Sequence, residues 1–350
     1  MVAARMAPEY GGSPMGLPVE GYRLTDISPK AYEHPADRAA TAALASVPML
    51  DQVVRKLIEF GYERALRQAY LGASVRLGPD QLPEVWNVYT QVLATLDMPD
   101  VYDLYITQQP VANAMAIGSE KPIIVMNSGL VNLLDEEELR TVLAHEVAHI
   151  LSDHVLYRTG LEILLRLTVG RLPLLAGLPL MAVRMALLEW SRAAELSCDR
   201  AAALVTRDPL IVCRTLMRLT GGAASSGLNL DAYLKQASEY REGGKGLDRV
   251  QRLWLELGVT HALPVRRVHE VMEWVRGGDF DRVVGGEYPR RGDPVDVREQ
   301  ADEAVNFYRD RFATTFRDAG ENLATASDAL ADWLRGAGRD DPPDGPPPSA

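Results

Sequence analysis

The sequence predicts an α+β protein, mainly helical with one small β-sheet. Three observations carry that reading. Apolar residues recur at three- and four-residue steps through most of the 350 residues, the period of an amphipathic helix. β-prone patterning is confined to 101–127. A helix with its own start signal follows that stretch directly.

The elements follow in chain order. Residues 1–35 are rich in Gly and Pro and hold no apolar run long enough for a signal peptide, so an extended arm is expected. Residues 36–77 read as helix, with Leu50, Val53, Val54, Leu57, Ile58 and Leu66 at helical spacing and a break near Pro48. A second helix follows Pro83 and carries Val85, Val88, Tyr89, Val92 and Leu96. Val101 to Thr107, Ala112 to Ile117 and Ile123 to Asn127 are strands, the last two separated by Gly118-Ser119-Glu120.

Asp135 then opens a helix. Glu138, three residues on, completes a capping-box pattern, and Leu139, Val142, Leu143, Val147 and Ile150 form the buried face. That helix is expected to reach about Tyr157. Trp190 to Val205 is a further helix, Asp208-Pro209 starts another, and Pro264 opens one through Val275. The loop at Gly243-Gly244-Lys245-Gly246 lacks a P-loop pattern and receives no phosphate role. From Val305 to Trp333 an apolar ladder predicts a helix packed on its own domain, with a coiled-coil or homo-oligomeric contact as the alternative. The expected organisation is the arm, one domain over 36–290, C-terminal helices over 291–336 and a disordered Pro-rich tail over 337–350.

Composition excludes some functions. The net charge of -11 argues against non-specific nucleic-acid binding. Cys198 and Cys213 show no C-x-x-C spacing and read as free buried thiols in a reducing compartment, hence a cytoplasmic location. Leu161 to Leu188 is leucine-rich, but Arg166, Arg171, Arg184, Pro173 and Pro179 interrupt it. Its longest uncharged run, Leu172 to Val183, is 12 residues. A membrane span needs about 20. A buried hairpin, or peripheral membrane contact through 161–188, is expected instead.

The chemistry lies in His145-Glu146-Val147-Ala148-His149, an H-E-x-x-H. Two histidines four apart share one helix face, so both imidazoles can reach one metal ion, and the adjacent glutamate can act as base on a water. A catalytic zinc needs a third protein ligand. The pattern with a further histidine on the same segment fails, because Ser152 and Val155 stand where its glycine and histidine belong. Glu195 on a later helix fits, with Asp199 four residues on and able to orient a ligand imidazole. Cys198 is turned by about 60° from the Glu195 face and is set aside. Asp153 and His154 read as structural or surface residues.

The combination of H-E-x-x-H, an apolar insertion and E-x-x-x-D resembles the HtpX-like and CAAX-prenyl-endopeptidase family of zinc metallopeptidases, of gluzincin type. The resemblance covers about 80–280. It implies a zincin-like fold, one Zn2+ per chain on His145, His149 and Glu195, Glu146 as catalytic base, and a protein or peptide substrate. Asn113-Ala114 resembles the family's N-A element on the edge strand that pairs with substrate. Ser128-Gly129-Leu130 resembles its T-G-L segment. His261 and Arg267 resemble a polar pair near the active site and are candidate catalytic groups that stabilise the oxyanion. The alternative function is a silent or latent zinc-binding scaffold, its cleft filled by the N-terminal arm.

Overall fold

The computed structural model describes residues 21–45, 63–119, 121–159, 161, 177–242 and 261–293. The first part of the arm, the Leu50–Ile58 periodicity, most of the leucine-rich stretch, the Gly243 loop, the C-terminal ladder and the tail lie outside the described residues.

The described elements run in order as α1 (Pro35–Ala45), α2 (Glu63–Ala73), β1 (Val75–Arg76), α3 (Pro83–Thr95), β2 (Asp103–Thr107), β3 (Ala114–Ile117) and β4 (Ile123–Asn127). They continue with α4 (Ser128–Leu133), α5 (Glu136–Leu151), α6 (Gly177–Thr206), α7 (Pro209–Gly221), α8 (Leu230–Glu242), α9 (Pro264–Arg276) and α10 (Asp279–Val284). The mainly helical α+β architecture is the one the sequence predicts.

The sheet has the order β1-β2-β4-β3. β4 pairs parallel with β2 and antiparallel with β3, so β3 is an edge. Its hairpin to β4 turns at Gly118, whose φ of 122 suits a residue without a Cβ. Alternation splits the side chains between two faces. Leu104, Ala116, Ile124 and Met126 join the main core with Tyr89, Val92, Leu143 and Val147 from α3 and α5. Tyr105, Ile123 and Val125 form a smaller cluster on the other face, where Tyr70 of α2 lies over Tyr105 with ring centroids 6.4 Å apart.

Helix α5 begins where the pattern places it. The Asp135 carboxylate accepts from the Glu138 N–H at 2.9 Å, and the Asp135 N–H donates to Glu138 Oε2 at 3.0 Å. This satisfies two of the N–H groups a helix start leaves free. Small buried residues let α5 and α6 approach closely: Ala144 and Ala148 on one, Ala194, Ala201 and Ala202 on the other. Asp208 caps α7 through the Leu210 N–H at 2.9 Å, with Pro209 in the first turn.

Two expectations change. The helical stretch expected to reach residue 77 ends early: α2 ends at Ala73 and Val75–Arg76 pairs with β2, because the β-branched Val75 sits beside a strand edge that needs a partner. Helix α5 stops at Leu151, short of Tyr157. Asp153 has φ 55, a left-handed conformation that Asp tolerates, and it breaks the helix before residues 154–159 resume it. The described end of the arm packs against the core. Leu24, Ile27 and Tyr32 are buried, and the Leu24 N–H donates to Thr95 O at 2.8 Å.

Candidate metallopeptidase site

One turn of α5 and one of α6 face each other across the core. His145 and His149 point their Nε2 atoms at one another, 3.2 Å apart. Glu195 on α6 meets both, with Oε2 3.5 Å from His145 Nε2 and Oε1 3.4 Å from His149 Nε2. All three side chains are nearly removed from solvent. Glu195 Oε1 is buried and has no hydrogen-bond partner among the described residues. A buried carboxylate oxygen without a donor is costly unless a cation meets it. Two imidazole nitrogens and a carboxylate also form a donor set that zinc accepts.

The outer nitrogens are occupied. His145 Nδ1 lies 3.1 Å from Asp199 Oδ1. Arg267 from α9 grips that carboxylate with two donors, Nε to Oδ2 at 2.7 Å and Nη2 to Oδ1 at 2.6 Å. His149 Nδ1 lies 3.2 Å from His154 Nδ1. His154 is therefore buried structure, not surface, because the turn at Asp153 folds it back beneath His149. Cys198 belongs to a second compact group with the two imidazoles, its Sγ within 4.8 Å of a nitrogen of each. That sulfur also lies 3.6 Å from His154 Nδ1. Burial and the surrounding carboxylates push its thiol well above the usual range, which disfavours the thiolate a metal needs.

Electrostatics follow from crowding. Burial works against charge on His145, but its hydrogen bonds with Asp199 and Glu195 outweigh burial and push the imidazole up to about 9. Burial, aided by Arg158, holds His149 well below its usual value. Burial would raise Glu195, yet His261 and the two site histidines hold it well below the carboxylate range. Five nitrogen groups converge on this carboxylate. The other three are His261 Nδ1 at 3.0 Å, Arg267 Nη1 at 3.3 Å and Arg158 Nη1 at 3.7 Å.

Glu146 points the other way, toward the edge strand. Its Oε2 accepts from the Ala116 N–H at 2.7 Å. Asn113 directly precedes β3 and its carbonyl accepts from the Asn127 N–H at 2.9 Å. Asn113 and Ala114 line the same cleft as His145, Glu146, Glu195 and Arg267. His261 stands at its mouth with its side chain half exposed. The apolar wall is Leu130, Val142 and, from α7, Val212, Leu216 and Leu219. Those α7 residues were missed from the sequence, although their spacing of four and three marks one helix face.

Every candidate site residue named from the sequence thus lies in or beside one cleft, between an edge strand and two histidines on a capped helix. This arrangement defines a metallopeptidase. The model of peptidase family M48 matches residues 79–275, and the chain belongs to that family. It is a protease. The chain is similar to a plastoglobule-localized metallopeptidase 48 of Arabidopsis thaliana chloroplasts, 35% identical over 262 residues, covering 73% of this chain and 75% of that protein. It is also similar to a Protease HtpX homolog of Tropheryma whipplei, 29% identical over 171 residues, 40% of this chain and 57% of that one. A Protease HtpX homolog of Paenarthrobacter aurescens is 28% identical over 191 residues, 47% of this chain and 66% of that one. No solved structure matches the chain significantly. Among the described residues no helix is long and apolar enough to cross a membrane.

Proposed function

We propose that the chain is a zinc-dependent endopeptidase that hydrolyses internal peptide bonds of protein or peptide substrates, with one zinc held by His145, His149 and Glu195. The observation that carries this is the convergence of those three side chains on one point, with Glu195 Oε1 making no hydrogen bond among the described residues. Bound there, zinc would supply Lewis-acid polarisation of a carbonyl and lower the pKa of water toward about 7.

The chain's own residues do the rest. Glu146 takes the proton from the attacking water and passes it to the leaving amine. The Ala116 N–H aims that carboxylate and leaves its second oxygen for the water. Asp199 orients His145 through Nδ1, so that Nε2 carries the lone pair. Arg267 has two donors on Asp199 and a third group on Glu195, which makes it a positioning residue. His261, half exposed at the cleft mouth and paired with Glu195 Oε2 at 3.0 Å, is the candidate that would leave this pairing to meet the developing oxyanion. An extended substrate adds to the edge at Asn113 and Ala114 by main-chain pairing. The apolar wall favours an aliphatic or aromatic side chain beside the scissile bond.

The test is elemental analysis with a cleavage assay. Glu146→Gln should keep stoichiometric zinc and lower turnover by about 10²–10⁴-fold, the usual worth of general acid–base catalysis. A wild-type protein purified without zinc and unable to bind it would sink this reading. We also propose a cytoplasmic location with peripheral membrane contact through the leucine-rich 161–188 sequence. A carbonate wash should then release it into the supernatant, and retention in the pellet would refute peripheral attachment.

A further inference from the structure

Behind His149 lies a row of buried polar groups that the peptidase chemistry does not use. His149, His154 and Asp37 are at most 1% exposed. His149 Nδ1 is 3.2 Å from His154 Nδ1, and His154 Nε2 is 3.0 Å from Asp37 Oδ2, an ion-pair contact outside the alignment of a hydrogen bond. Asp37 belongs to α1, outside the 79–275 segment that matches the family. Its carboxylate also accepts from Ser197 Oγ at 2.5 Å and Thr41 Oγ1 at 3.3 Å. The His154 ring is held from the side by Trp190, edge-on at 5.8 Å, and Trp190 Nε1 in turn donates to Thr41 Oγ1 at 2.9 Å. Asp153 accepts a left-handed backbone to bring His154 into this row.

Two facing Nδ1 atoms can form a hydrogen bond only if one carries a proton and the other does not. If His149 presents the Nε2 lone pair to a metal, its proton is on Nδ1 and it must donate. His154 Nδ1 must then be bare, which puts the His154 proton on Nε2, facing Asp37. Each step is fixed by the one before. We propose that Asp37 and His154 form a relay that holds His149 in its metal-binding tautomer, which makes helix α1 a working part of the metal site. This rests on the reading of His149 as a ligand.

The test uses the full chain, loaded with zinc and labelled with 15N-histidine. Long-range proton–nitrogen spectra should show His154 protonated at Nε2 alone and His149 protonated at Nδ1. Zinc affinity is then measured by competition with a chelator. Asp37→Asn and His154→Phe should weaken it by about 10–100-fold, the range for partners that orient a metal ligand. Thr41→Val also loosens α1 but leaves His154 facing Asp37, so it should lower the unfolding temperature and leave zinc affinity unchanged. A purely structural role predicts the reverse for Asp37→Asn: a lower unfolding temperature with wild-type affinity. That result overturns the relay, as does a wild-type spectrum with a proton on His154 Nδ1. The spectrum decides the matter even if Asp37→Asn fails to fold. If the wild type binds no zinc, the peptidase reading falls together with the relay; if it binds and the variants bind equally well, only the relay falls.

Discussion

Lowering the pH from 8 to 6 should weaken zinc binding by about two orders of magnitude, because a proton competes for His145. Without metal, the hydrogen bonds of His145 with Asp199 and Glu195 overcome the cost of burial and set its pKa at about 9. The fraction of molecules with His145 unprotonated is then about one in ten at pH 8 and about one in a thousand at pH 6. The other two ligands add nothing to this slope. His149 is held well below its usual value and is already neutral, while Glu195 is held low and is already ionised. Zinc uptake near pH 7 should therefore release one proton per ion. Titration calorimetry in two buffers of different ionisation enthalpy counts that proton, and chelator competition across pH gives the slope. Asp199→Asn removes a bond that raises the imidazole, so it should reduce the proton count and flatten the slope. No proton release in the wild type, with affinity flat between pH 6 and 8, would refute the reasoning. The sign for the metal-free fold is opposite to that for metal binding. A pKa raised in the folded state stabilises it fully below the ordinary imidazole value of about 6.5, and this contribution is lost as pH rises through about 9.

Cys198→Ala should leave zinc affinity unchanged by chelator competition, since its buried sulfur contacts His154 Nδ1 at 3.6 Å and the proposed ligand set is complete with Glu195; a loss would return the sulfur to the ligand set. Asp135→Ala should cost about 1 kcal/mol in urea unfolding through loss of the α5 cap. Gly129→Ala places a Cβ 2.2 Å from Pro110 O, so the loop leading into β3 must move. Stability should fall by about 1–3 kcal/mol, as for overpacking, with a matching loss of kcat/KM.

The parts of the fold legible in the sequence are those written in neighbouring residues. The Asp135–Glu138 box and the Asp208-Pro209 start depend on contacts a few residues apart, and the 101–127 strands on alternation within each segment; each forms close to where its residues indicate. The helix-face argument also works for His145 and His149, because four residues of helix fix their relation without any help from the fold. It could not find β1, whose two residues are a strand only because β2 needs a partner. Nor could it find the Asp153 break, where a single left-handed residue turns the chain out of a helix whose apolar pattern continues.

The same distinction explains what was missed in the site. Glu195 and Asp199 could be found because their own spacing of four mirrors that of the histidines. Ala116 and Asp37 carry no such signal, since one acts through its backbone and the other lies more than a hundred residues from the histidine it faces. Arg267 was visible, but its contacts were not: its two bonds to Asp199 join residues 68 apart in sequence. With five nitrogen groups around one buried Glu195, the cleft depends on several elements at once. Removing that carboxylate would therefore release charges on α5, α9 and the 154–159 helix together. Loss of metal and loss of stability should then appear in the same variant, whereas Glu146, whose bond among the described residues is to the edge strand, can lose its charge without disturbing the donors.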